Sequence, residues 1–347
     1  MHKHKQSQCK RKVKHRKNVM GLIIFCITVC IVFMFAYYQN LRKEINARQK
    51  WLETVLTGEK KWILENQGPE GEFYMNGSKA GDVNPYFACM AALGLLAETK
   101  NCPMTETEQK AVGRYLDWHT GVLLETDGKM GIYRKKSGKL IYKEKADSED
   151  GYLGMYLFLM GKYLEKTEST DLPEYWKKGI SLALKKIQSL MQDGITQVSE
   201  ENTTVYLMDN LEVWKGLYEL EHAGLKDVQA IREMRNKLQA QIEKLFWDDA
   251  NQRWRIIENS DLYHQKEFYP DGVAQIYPLI YEFPVKEKKK QKILYKQFTE
   301  RFQWQKLTKK RNGFLWAMTG MAAAQMRDIN NLVELIENYE TEYCKER

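Results

Sequence analysis

The chain has 347 residues, 43% of them hydrophobic and 12% aromatic, which is enough apolar content for a packed core and too much for a disordered chain. Its formal charge of +8 is local. Residues 1–17 hold 8 of the 54 Lys and Arg and no acid, and the 46 that remain match the 46 acidic residues. A neutral body excludes a nucleic-acid footprint there, and no nucleic-acid partner is expected.

After the basic tail comes VMGLIIFCITVCIVFMFAYY, Val19 to Tyr38, 20 residues without a charge. At about 1.5 Å per residue this run reaches roughly 30 Å, the thickness of the hydrocarbon core of a bilayer. Positive charge ahead of it predicts a signal anchor with the N-terminus in the cytoplasm and the chain outside from about residue 40 onward. A cleaved signal peptide is the alternative, but the run is long for one and no A-x-A site follows. The organisation read from this is a cytoplasmic tail over 1–18, a transmembrane anchor over 19–38, a stalk over 39–58 and an extracytoplasmic domain over 59–347. The basic tail is explained by membrane topology and attraction to lipid headgroups.

Residues 40–67 carry a charged helical pattern that Gly68-Pro69-Glu70-Gly71 stops. Asp82-Val83-Asn84-Pro85-Tyr86 opens an apolar helix from Phe87 to Ala97, with Asn84 as cap and Pro85 in the first turn. An amphipathic helix over about 104–121 follows. A hairpin then runs through Met130–Arg134, a Ser137-Gly138 turn and Leu140–Tyr142. It leads to Asp147-Ser148-Glu149-Asp150-Gly151-Tyr152, three carboxylates at the mouth of a stretch, Gly151 to Gly161, with no charge. A helix apolar on every side is buried on every side, so this one is central and opens onto an acidic pocket.

The theme repeats. An amphipathic helix over 171–192 precedes Asp209-Asn210-Leu211-Glu212-Val213-Trp214 and an apolar helix to Leu220. Another over 226–247 precedes Phe268-Tyr269-Pro270-Asp271-Gly272 and a helix from Val273 to Tyr281. A third over 286–303 precedes Asn312–Trp316 and a helix to Met326, and 328–343 closes the chain. Landmarks at Asn84, Asp150, Asn210, Asp271 and Asn312 are 66, 60, 61 and 41 residues apart. Five apolar and about six amphipathic helices in alternation predict an all-α domain of helical hairpins, an (α/α)6 toroid with the apolar helices inside. An open solenoid is the alternative, but its inner helices would keep a polar face that these lack.

The alternation, with acidic and aromatic residues ahead of each inner helix, resembles the six-hairpin glycosidase superfamily. Asp147–Tyr152 and Asp209–Trp214 carry the resemblance, which covers roughly 60–340 and is one of architecture and motif character. It implies a sugar-binding groove at the end of the barrel where the inner helices begin. It also implies a membrane-tethered enzyme acting on a polysaccharide or oligosaccharide outside the cell, in company with envelope polysaccharide machinery.

Glycoside hydrolysis takes two carboxyl groups flanking the scissile bond, one protonated and one ionised. The candidates are Asp82, Asp147, Glu149, Asp150, Asp209, Glu212 and Asp271. Each of these acids has an ordinary alternative, capping the orphan N–H groups of a helix end. A capping Asp209 suits the ionised role. Crowding among Asp147, Glu149 and Asp150 raises at least one of them, which suits Asp150 or Glu149 as the acid. Asn84, Tyr86, Tyr152, Asn210, Trp214, Tyr269 and Trp316 join Asp82, Asp147, Glu212 and Asp271 as sugar-contacting candidates, Trp214 as the stacking platform. A non-catalytic saccharide-binding or assembly component of the same fold is the second reading.

Epimerases of the same barrel shape use histidines, here His119, His222 and His264, but the first two fall near helix C-termini. The six cysteines show no metal-ligand spacing, and Cys89 and Cys102 could pair or stay free. With no P-loop, nucleophile elbow or dinucleotide fingerprint, no metal and no cofactor is expected.

Overall fold

The computed structural model describes residues 42–75, 81–136, 139–169, 171–258, 260, 267–286, 288–306 and 317–342. The basic tail, the 19–38 span, His264 and Trp316 lie outside them. No helix among the described residues is long and apolar enough to cross a membrane.

The elements are α1 (42–65), β1 (Asp82–Val83), α2 (Pro85–Leu96), α3 (Glu106–Glu125), β2 (Gly131–Lys136), β3 (Lys139–Lys145), α4 (Glu149–Thr167) and α5 (Glu174–Leu190). There follow β4 (Met191–Gln192), β5 (Ile195–Thr196), α6 (Leu207–His222), α7 (Gln229–Phe246), β6 (Trp247–Asp248) and β7 (Arg253–Trp254). A π-helical turn (Phe268–Gly272) enters α8 (Val273–Ile280), and α9 (Lys288–Phe302), α10 (Thr319–Gln325) and α11 (Ile329–Glu342) complete the chain. Two units separate. In one, the described residues up to Glu59 are helical and associate with Thr99–Cys102, where Asn101 donates to Glu53. The other holds Lys60–Glu98 and everything from Pro103.

Within the larger unit α4, α6 and α8 are almost wholly buried, α2 and α10 are partly so, and α3, α5, α7 and α9 are amphipathic. Every residue of α4 from Asp150 to Gly161 is buried. In contrast α7 buries only Ile231, Leu238, Ile242 and Phe246, spaced at helical intervals along one face. The apolar helices pack in succession, α2 on α4, α4 on α6, α6 on α8 and α8 on α10. One core cluster runs from Phe73 to Leu335. The strands form a three-stranded antiparallel sheet, β1-β2-β3, and two short hairpins, β4-β5 and β6-β7. These links sit where the buried helices begin: Glu149 N–H donates to Val198 O at 2.9 Å and Leu207 N–H to Ile256 O at 2.9 Å.

The α4–α6 pair is the most intimate contact of the unit, and glycine makes it so. A Cβ on Gly154 would fall 2.7 Å from the Val213 nitrogen, and one on Gly216 would fall 2.3 Å from the Gly154 oxygen. Backbone therefore meets backbone. Glycine in a helix interior costs about 1 kcal/mol relative to alanine, so alanine stabilises such a site only where there is room. Gly154→Ala is expected to destabilise the fold by about 1–3 kcal/mol, the range for overpacking, read as a lower urea midpoint at unchanged slope. A midpoint at or above wild type would show that the two helices are not in backbone contact.

Candidate active site

The α4–α6 contact brings the acids of two helix starts together. Asp150 is the second residue of α4 and is 1% exposed. Ser148 caps the helix, its hydroxyl accepting from Gly151 N–H at 3.2 Å. Asp150 Oδ1 accepts from the Ser148 hydroxyl at 2.8 Å and from Gly151 N–H at 3.0 Å. Oδ2 lies 2.7 Å from Thr196 Oγ1. Burial pushes this carboxyl up to about 6, against the opposing pull of the Thr196, Ser148 and Gly151 bonds.

Glu212, 3% exposed on α6, is held by three tyrosines. The hydroxyls of Tyr86 and Tyr277 donate to its Oε1 at 2.5 and 2.6 Å, and that of Tyr281 at 3.4 Å. Its Oε2 lies over Gly151, where a Cβ would come within 2.6 Å. Any side chain at 151 would therefore displace Glu212. Burial pushes the Glu212 carboxyl up to about 7; the Tyr277 and Tyr86 bonds restrain it and the charge of Asp150 raises it again.

Asp209 completes the group and corrects an expectation. It does not cap α6. The helix begins at Leu207, its cap Tyr206 makes no side-chain bond, and Asp209 stands inside the first turn. Removal from water, then the charges of Asp150 and Glu212, push its carboxyl well above the ordinary aspartate range, with a Ser148 bond opposing. No basic group figures among the main influences on the three. Negative charge shared by close acids in a poorly solvated site favours keeping protons bound. Of the three, Asp209 is the most open to solvent.

The other candidates divide. Asn84 caps α2 and bonds Tyr152, which is 3% exposed with its ring 5.6 Å from that of Tyr86. Asp147 is exposed, and its charge reaches Asp209 and Tyr269. Tyr269 is 53% exposed, and its hydroxyl also feels Asp209 and Glu212. Asp271 is buried in the turn that enters α8. Asn210 is fully buried and holds Thr196 rather than facing open space.

Three expectations need correction. Glu149 lines a separate cavity of about 220 Å³ with Lys129, Lys145 and Lys186, because one step along a helix turns a side chain by about 100°. Asp82 is taken up by Arg134, at 2.6 and 3.0 Å, and by Lys143 at 2.8 Å. The Arg134 bond lowers it most, to about 2, so it is a fixed anion of the sheet. Trp214 is 2% exposed, donates to Gln239 at 3.3 Å and packs on Tyr218 and Phe283. Two residues beyond Glu212, it faces about 200° away, into the core.

Thr196, Ser148, Tyr277 and Tyr281 were not anticipated as site residues. The tyrosines carried a signal, two hydroxyls four residues apart on one face of an apolar helix, whereas Thr196 sits in a two-residue strand with no pattern. His119 is fully buried beside Tyr115, and burial pushes it down to about 3. His222 ends α6 with Nδ1 2.7 Å from Tyr218 O. Cys89 and Cys102 are both free. Among the described residues no group of three or more His, Cys, Asp and Glu is arranged to hold a metal ion.

No family model and no curated protein sequence matches the chain. Solved structures do. A wild-type glycosidase superposes with a TM-score of 0.59 at 12% identity, over 82% of this chain and 82% of its own. A glycosidase variant in complex with glucose gives 0.57 at 12% identity over the same 82% and 82%. The GH78 family rhamnosidase of Bacillus sp. GL1 gives 0.52 at 12% identity, over 84% of this chain and 30% of its own. At such identities the likeness is one of fold, a helical glycosidase-like architecture across most of the chain.

The tyrosine cage has a measurable consequence. Each hydroxyl that donates to Glu212 favours its ionised form, and a bond to a charged group contributes about 1.5–3 kcal/mol. Tyr277→Phe is therefore expected to raise the Glu212 midpoint by about one unit or more, followed by carboxylate infrared bands against Glu212→Gln. A midpoint that stays put would show that Tyr277 does not bond Glu212 in solution.

Proposed function

We propose that the chain is a membrane-anchored glycoside hydrolase acting on an extracellular or envelope polysaccharide, its catalytic domain a closed (α/α)6 toroid. The observation that carries the reading is the apposition of buried Glu212 and part-exposed Asp209 in one turn of α6, against buried Asp150 at the start of α4. Glycoside hydrolysis asks for two carboxyls with their proton affinities pushed apart. Asp209, crowded by two acids and partly open, is the proton donor to the leaving oxygen. Glu212, steadied by three hydroxyl donors that favour its charge, is the base or nucleophile. Asp150, enclosed on both oxygens, acts on Asp209 through its charge rather than on the sugar. Exposed Tyr269 offers a ring face beside the acids. The glucose carried by one fold relative supports a saccharide as ligand.

The basic tail and the uncharged run from Val19 to Tyr38 support a single-pass anchor with a cytoplasmic N-terminus and the domain outside. Residues 39–58 then serve as a stalk ahead of the domain at 59–347. The ligand is a polysaccharide or oligosaccharide, handled beside envelope polysaccharide machinery.

Asp209→Asn and Glu212→Gln are each expected to lower the release of reducing ends from envelope polysaccharides by roughly 10²–10⁴-fold. Wild-type turnover in both variants would remove the catalytic reading and leave saccharide binding. In the wild-type protein kcat/KM is expected to climb as pH passes through about 7, where Glu212 loses its proton. A rate that instead falls through this range would reverse the roles. Deleting residues 1–40 is expected to move the protein from the membrane to the soluble fraction of cells; retention in the membrane would refute the anchor.

A further inference from the structure

Thr196, Asn210 and Asp150 form a closed set of bonds with one ambiguous member. All three residues are 0–1% exposed. Asn210 Nδ2 donates to Thr196 O and Tyr206 O, both at 2.9 Å, and its Oδ1 accepts from Thr196 N–H at 2.8 Å. Those bonds leave the amide a single orientation. Thr196 Oγ1 then lies between two acceptors, Asp150 Oδ2 at 2.7 Å and Asn210 Oδ1 at 2.8 Å, and it owns one proton.

Resting on the hydrolase reading above, we infer that Thr196 is a positioning residue that lets Asp150 change charge without moving and thereby governs how firmly Asp209 holds its proton. With Asp150 ionised, the Thr196 hydroxyl donates to Oδ2, while Asn210 Oδ1 keeps the Thr196 N–H. With Asp150 protonated on Oδ2, the carboxyl donates to Thr196 Oγ1 and the hydroxyl turns to Asn210 Oδ1. Both states are fully bonded, and a single hydroxyl rotation separates them. Elsewhere in a core one of the two states would leave a buried polar group unmatched. Acids on α6, Asp209 and Glu212, face Asp150, with Tyr86 of α2, Tyr277 of α8 and Tyr281 just past the end of α8 around Glu212. Asp147 and Glu149 flank it in the chain. Ser148 bonds both Asp150 and Asp209, so the two aspartates share a neighbour as well as a field.

The test is a pH titration of full-length protein with ¹³C-labelled aspartate carboxyls, in wild type, Thr196→Val and Thr196→Ser, alongside kcat/KM profiles. Valine removes the donor to the ionised form, whose bond is the stronger of the two. The Asp150 midpoint is expected to rise by about one unit and the Asp209 midpoint to fall as its neighbour loses charge; serine restores both. Thr196→Ala removes the same hydroxyl if valine prevents folding. Unchanged midpoints in the valine or alanine variant overturn the inference, whatever the activity. Midpoints that move as described in a protein without glycosidase activity uphold the inference and reject the hydrolase reading. Active enzyme with fixed midpoints does the reverse.

Discussion

Everything at the candidate site depends on how closely α4 and α6 approach. Two helices with ordinary side chains between them keep their axes about 8–10 Å apart. Here Gly154 and Gly216 let backbone touch backbone, and Gly151 leaves space that Glu212 fills. The first turns of two helices are thereby superposed, and the acids they carry fall into one poorly solvated volume. A bulkier seam would separate Asp150 from Asp209 and Glu212 and return each to an ordinary carboxylate.

The consequence is electrostatic. Three acids without a cation among their main influences cannot all ionise cheaply in such surroundings. Each local structure then biases one of them. Tyrosine hydroxyls favour charge on Glu212, the Thr196–Asn210 clamp accommodates either state of Asp150, and Asp209 carries the repulsion of both. The arrangement works against the fold. An acid whose affinity for protons is raised by folding binds more of them when native than when unfolded. Its stability contribution is thus full below about pH 4 and is lost as pH rises through about 6 for Asp150 and about 7 for Glu212. Stability that falls across the range where these carboxyls titrate is the cost of gathering three acids in a poorly solvated site with no cation among their main influences.

Much of this was legible in the sequence. The uncharged run from Gly151 to Gly161 marked a buried helix, and 3.6-residue periods marked its outer partners. Acids ahead of successive apolar helices marked the end where Asp150, Asp209 and Glu212 gather. What escaped was phase and contact. Glu149 and Asp150 are neighbours in the chain, but Glu149 lines a lysine-bordered cavity while Asp150 is enclosed by hydrogen bonds, because helix geometry separates them by about 100°. Trp214 had the composition of a sugar platform but the orientation of a core residue. Asp209 looked like a cap because an acid before an apolar run usually is one; the helix began two residues earlier. Thr196, Tyr277 and Tyr281 matter only through what they touch, and touching across 46 or 65 residues of chain leaves no local pattern.

The account turns on which acid keeps its proton. The direct measurement is the ¹³C carboxyl titration of Asp209 in the full-length protein. A midpoint well above that of a free aspartate, which drops when Asp150 is replaced by asparagine, is the result expected. An Asp209 that titrates like a free aspartate would contradict the account.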